Sequence, residues 1–258
     1  MHVHLPKPLH GWREFAKEVG IIVLGVLIAL GFEQLAQTWH WHQQVRSTRQ
    51  SLTGEIENSA LFSIERLAVQ RCLRNRITHL ETKLNSQDSN WGADPMVFGP
   101  HDTPGFKFTM PVAYEAPHRP YVSDIWDTAK ATGVVDHMSE KEAHSFEYMF
   151  ANIDRLRTSQ DEEIATIPQL SFLNFNLTMD PQLRAQSLVA LERLDIINSQ
   201  AAGYSRQVLS TVRVMHLVFG PATWGGGFPT FERARRQILS NDRQRYGGCV
   251  IDVSLRTH

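Results

Sequence analysis

A charge excess is the first thing this sequence lacks. Its 26 lysines and arginines stand against 27 aspartates and glutamates, so no long-range field favours nucleic acid or an acidic substrate. The basic residues form short local clusters rather than one face, which argues against a nucleic-acid partner. Cysteine is almost missing. Cys72 and Cys249 alone are too few for a disulfide scaffold and wrongly spaced for zinc. Catalytic signatures are missing too: there is no G-x-S-x-G elbow, P-loop, H-E-x-x-H or nucleotide-binding glycine fingerprint. No internal repeat or low-complexity segment appears. At 258 residues, the chain fits one large domain, or a modest domain plus an anchor.

What is present is one apolar run, EVGIIVLGVLIALGFE, from Glu18 to Glu33. It is uncharged between its glutamates and shorter than the roughly 20 residues that cross about 30 Å of hydrocarbon. Its flanks extend it. Trp12 and Trp39 stand about 40 Å apart along a helix, the headgroup-to-headgroup thickness at which tryptophan concentrates. No proline interrupts Gly11 to Trp41, so one helix satisfies its own backbone throughout. A cleaved export signal is the alternative, because Ala29-Leu30-Gly31 resembles a small-x-small cleavage site. A buried core helix is the third. The long polar leader with Glu14 and Glu18, and the helical pattern beyond the site, favour a retained span over 18–36. Lys7, Arg13 and Lys17 precede it and no lysine or arginine follows before Arg46. The positive-inside rule then gives a cytoplasmic N-terminus over 1–17 and an exported domain over 37–258.

Within the span, Gly25 and Ala29 form a small-xxx-small pair that permits close helix approach, though such pairs also arise in ordinary lipid-facing sequence. Glu18 and Glu33 each stand about 11 Å from the midplane of a span centred between them. A carboxylate at that depth needs hydration, protonation or a partner. Trp39, Trp41 and the histidines between and after them read as an interfacial anchor, since histidines two apart point to different faces of a helix.

Beyond the span, Val45, Leu52, Ile56, Ala60, Ile64, Leu67, Leu73, Ile77, Leu80 and Leu84 recur at helical spacing. The helix either continues outward through them or breaks near Gly54. Residues 86–120 hold six of the twelve prolines and predict a long loop, too aromatic to be a free linker. Helices are expected from Ser123 to Ala131, from the Ser139/Glu142 capping box to Thr166, from Asp180-Pro181 to Phe219, and from Thr230 to Tyr246. The tail CVIDVSL reads as a short strand. The fold class expected is mainly α: a transmembrane helix continuing into an antiparallel helical bundle.

Candidate sites are sparse. In an exported domain Cys72 and Cys249 could pair, or could stay as two buried thiols. The acid–imidazole groups are His101-Asp102, Asp136-His137 and Glu142, His144 and Glu147, and the simpler reading of each is a surface pair. Gly225-Gly226-Gly227 before Arg233, Arg235 and Arg236 could hold an anion but also suits a tight interhelical turn. No metal, cofactor or catalytic residue is assigned.

The segment LHGWREFAKEVGIIVLGVLIALGFEQLAQTWHW resembles the N-terminus of uncharacterised single-pass inner-membrane proteins of Gram-negative bacteria, grouped only as domains of unknown function. IWDTAKATGVVDHMS, Ile125 to Ser139, resembles their Trp-x-x-Ala-x-x-x-Gly stretch. The resemblance implies an inner-membrane anchor with a periplasmic helical domain and carries no catalytic residue. The expected function is a non-enzymatic accessory or scaffold protein. Its partners would be the lipid bilayer and another membrane protein, or a second copy bound through the anchor. The alternative is a periplasmic ligand-binding or stress-sensing domain acting through a membrane partner.

Overall fold

The computed structural model describes residues 11–86, 88–96, 112–219 and 228–255, without the side chains of Glu14, 216–219 and 228–230. The protein is mainly helical. One helix dominates: α1 runs unbroken from Trp12 to Asn85, about 110 Å at 1.5 Å per residue. Gly54 does not break it, because one glycine costs only about 1 kcal/mol in a helix interior.

The first part of α1 touches nothing else. Every residue from Trp12 to His40 whose side chain is described is exposed. From Trp41 onward the helix enters the core. All ten residues of the stripe from Val45 to Leu84 are buried, as one apolar line on a helix must be if neighbours cover it.

Those neighbours are α2 (Asp124–Ala131), α3 (Glu140–Thr166), α4 (Pro181–Phe219) and α5 (Phe228–Tyr246). α4 packs against both α1 and α3, and α5 against α1, around one continuous apolar core. Local chemistry sets the ends. The Ser139 hydroxyl accepts from the Glu142 N–H at the start of α3, and Asp180 accepts from the Leu183 N–H at the start of α4. α3 stops at Thr166, two residues before Pro168, and the chain continues as a 3-10 helix, Ile167–Asn174. Gly133 closes α2 at φ 75°, the left-handed conformation glycine adopts without strain. At the far end of α1, Arg184 donates to the carbonyls of Leu84 and Asp88, placing a cation where the helix dipole is negative.

The Pro-rich stretch is described only at its two ends, and its middle, 97–111, lies outside the described residues. Both ends pack on the helices. β1 (Asn90–Trp91) pairs antiparallel with β2 (Leu177–Thr178), and Trp91 is buried with its indole N–H on the Leu173 carbonyl. After the gap, Ala113, Tyr114, Ala116 and Tyr121 are all buried.

The tail differs from expectation: it forms no strand. Gly247–Cys249 is a 3-10 turn, and 250–255 has no regular secondary structure. A disulfide joins Cys249 to Cys72 of α1. The Ile251 N–H donates to the Ala68 carbonyl, and Arg213 and Arg235 hold the carbonyls of Leu255 and Val253. Backbone groups of the tail thus find a helix carbonyl and arginine side chains as partners.

Candidate functional site

The membrane-anchor candidates lie together on the free part of α1. Trp12 is 80% and Trp39 68% exposed, and Glu18, Gly25, Ala29 and Glu33 are exposed between them. A window of this helix reaches mean hydropathy 2.2 with none of it buried. Among the described residues α1 is the one helix long and apolar enough to cross a membrane. A core helix of that composition would be covered; this one is bare on every face. Added side chains at Gly25 would meet nothing within 4 Å, so no close neighbour in this chain explains the small residue.

Trp41, the remaining candidate, is half-buried. Its ring stacks on His137 with centroids 3.9 Å apart, so it docks on the 3-10 helix Val134–His137 instead of standing free beside Trp39. The helical body begins here. Between the emerging helix and this roof lies an open groove of about 500 Å³, lined by Gln34, Gln37, Thr38, Trp41, His42 and His137.

Inside the body, three carboxylates of the helices are clamped by arginines. Arg66 on α1 makes two 2.8 Å hydrogen bonds to Glu163 on α3. Glu163 also accepts from the Tyr114 hydroxyl at 2.9 Å, and His118 approaches it at 3.8 Å. Burial works against the Arg66 charge, but Glu163 outweighs it and raises the guanidinium pKa. Burial, and then Glu163, pushes the Tyr114 phenol well above its ordinary value. Burial pulls His118 down, with Glu163 opposing and Arg66 assisting. Arg119 holds Glu65 at 2.6 and 2.5 Å, and Arg49 holds Glu142 through two hydrogen bonds. Each pairing is bidentate, the geometry that best offsets desolvation of two charges.

Asp242 on α5 is different. It is buried, and its Oδ2 has no hydrogen-bond partner among the described residues. Burial and then Glu65 push its pKa up to about 7, against the pull of Arg119. Near the end of α1, Asp94 accepts from Arg76, His79 and Lys83. Burial alone would raise its pKa, but those three donors hold it well below the usual carboxylate range.

The acid–imidazole candidates do not assemble a reactive centre among the described residues. Glu142 is occupied by Arg49, Glu147 accepts from the Trp126 indole at 3.0 Å, and His144 is exposed. His101-Asp102 and Gly225–Gly227 lie outside the described residues. Arg235 is taken by Glu232 and Asp252, which leaves it serving the tail. Among the described residues no group of three potential ligands gathers to hold a metal.

Sequence reasoning missed the clamps and the groove. Both join residues far apart in the chain: Arg66 and Glu163 are separated by 97 positions, and no local pattern encodes such a pairing. No family model, curated protein or solved structure matches this chain.

Proposed function

We propose that the chain is a membrane-anchored, non-enzymatic accessory or scaffold protein that presents its helical body to partner proteins of a membrane complex. In this reading residues 18–36 cross a Gram-negative inner membrane, with 1–17 cytoplasmic and 37–258 a periplasmic antiparallel helical bundle. One observation carries it: the apolar half of α1 is bare on every face, while the same helix, without a break, forms the spine of the core. A bare apolar helix of about 44 Å, 29 residues at 1.5 Å each, needs a non-aqueous surrounding or a protein cover. Water would expose it at roughly 25 cal/mol per Å².

The arginine clamps support a scaffolding role for the body. Each carboxylate is held at two points by an arginine distant in the chain, which fixes the register of the packed elements. Gly25 and Ala29, with Glu18 and Glu33, supply the means of pairing inside the bilayer. Mass spectrometry of whatever co-purifies with the tagged chain, extracted gently from native membranes, tests this. A stoichiometric membrane partner is expected. A chain that purifies alone, monomeric and without a partner, contradicts it.

The sensing alternative has the groove beneath His137 in its favour, because an open site of about 500 Å³ with mixed polar and apolar walls falls in the range of ligand pockets. A small molecule that raises the melting temperature of the intact protein would favour that reading.

A further inference from the structure

The groove at the root of the body has a feature that its size alone does not convey. Five of its six lining residues, Gln34, Gln37, Thr38, Trp41 and His42, come from α1. Their spacing of three, four, seven and eight from Gln34 puts them on one helix face. That face continues into Val45 and Leu52, which are buried, and into Arg49, which holds Glu142. Below Trp41, then, the face is covered by protein. Above it the same face turns polar and is covered by nothing in the chain. The opposite wall is His137, which ends the 3-10 helix closing the Trp126-to-Gly133 stretch.

Depth fixes what meets this face, on the anchor reading given above. With the span centred between Glu18 and Glu33, Gln34 stands about 13 Å and His42 about 25 Å from the midplane at 1.5 Å per residue. The hydrocarbon ends near 15 Å and the headgroups near 20–22 Å. The groove therefore runs from the edge of the hydrocarbon through the headgroup layer of the outer leaflet to just beyond it. The side chains of Trp41 and His42 lean back toward that layer, because helical Cα–Cβ bonds tilt toward the N-terminus. Its walls offer what a phosphodiester takes: imidazole N–H groups of His42 and His137, the side-chain amide of Gln34, and the indole N–H of Trp41. Two of the other polar groups are already engaged. The Thr38 hydroxyl donates to the Gln34 carbonyl, and the Gln37 amide donates weakly, at 3.5 Å, to Glu33. The imidazoles carry the site. Arg46, one turn beyond His42, is exposed and adds positive charge at the outer mouth.

We infer that this groove binds the phosphodiester headgroup of a bilayer phospholipid, wedged between α1 and the His137 roof.

The test uses the full chain in vesicles of phosphatidylethanolamine and phosphatidylglycerol. One preparation carries a phospholipid with a photoreactive headgroup, a second one with a photoreactive acyl chain. Cross-linked peptides are mapped by mass spectrometry. The headgroup probe is expected to label 34–42 and 133–139, and the acyl probe 19–32. The double variant His42→Ala/His137→Ala, both exposed positions, should cut the headgroup labelling by about tenfold, the loss expected of one or two hydrogen bonds, with acyl labelling unchanged. Headgroup labelling that is absent, or indifferent to the double variant, while 19–32 is still labelled by the acyl probe overturns the inference and leaves the anchor standing. Labelling erased by excess inorganic phosphate overturns the lipid as ligand in favour of a free phosphate. Failure of the acyl probe to label 19–32 removes the anchor reading, and the headgroup site with it.

Discussion

Arg66 and Glu163 face each other across the α1–α3 contact in a paired, two-point hydrogen bond, 2.8 Å on each arm. Both side chains are almost fully buried, at 6% and 1% exposure. A third donor, Tyr114, reaches the same carboxylate, so the second end of the Pro-rich stretch is tied to the clamp. The pair holds three parts of the chain in one register.

Breaking that clamp on one side leaves a buried guanidinium without its counter-charge. Glu163→Gln should destabilise the protein by about 3–5 kcal/mol, read as a lowered denaturant midpoint in detergent. Replacing both partners, Arg66→Met with Glu163→Leu, should recover at least half of the loss, since neither buried charge then remains. A double variant as weak as the single one would show that the ion pair itself is what stabilises.

Asp242 gives a pH signature of definite sign. Its pKa is about 7 in the folded protein against about 3.9 for an unperturbed aspartate, so the folded state holds a proton that the unfolded state releases. Stability from this group therefore falls as pH rises from about 4 to 7 and is level above that. Asp242→Asn removes the effect. The variant should gain on the parent across that window, by about 1–2 kcal/mol once partial hydration of the site is allowed for. His118, whose pKa is lowered by burial, works in the other direction, losing stability as pH falls below about 6.5, and is unchanged in both proteins. A stability difference between them that does not vary with pH would contradict the assignment.

The Cys72–Cys249 bond closes a loop of 177 positions and pins the tail to the C-terminal third of α1. Alkylation under non-reducing, denaturing conditions should label no thiol in protein taken from membranes. Cys72→Ser/Cys249→Ser should lower stability by about 2–5 kcal/mol. Two labelled thiols in the parent protein would remove the staple.

Trp126 is buried, stacked on Phe150 at 5.7 Å and bonded to Glu147. Gly133, seven residues on, holds a left-handed turn. Trp126→Ala should cost about 3–5 kcal/mol, and Gly133→Ala about 1 kcal/mol, by thermal or denaturant unfolding. Equal effects of the two would show that the glycine does more than turn the chain.

Local patterns carried the helices and little more. The stripe from Val45 to Leu84 is legible because helical periodicity is written in neighbouring residues, and all ten positions are buried. The Ser139/Glu142 motif shows where that reading ends. Ser139 does cap α3, but the Glu142 carboxylate goes to Arg49, 93 positions away, a partner no local rule names. The tail misled for the same reason: CVIDVSL has the composition of a strand, yet its backbone is satisfied by α1 and by arginines of α4 and α5. Trp41 resembled Trp39 in sequence and differs from it only because His137 arrives from another element. The groove was invisible for that reason as well.

The central claim is that the bare half of α1 crosses a membrane and carries the helical body to its outer side. An alkaline phosphatase reporter fused after His258, which is active only when exported, tests it most directly in living Gram-negative cells. The account predicts full phosphatase activity in the membrane fraction, lost when residues 12–40 are deleted. An inactive fusion, with the intact protein still bound to the membrane, would contradict the orientation and with it the periplasmic role of the body.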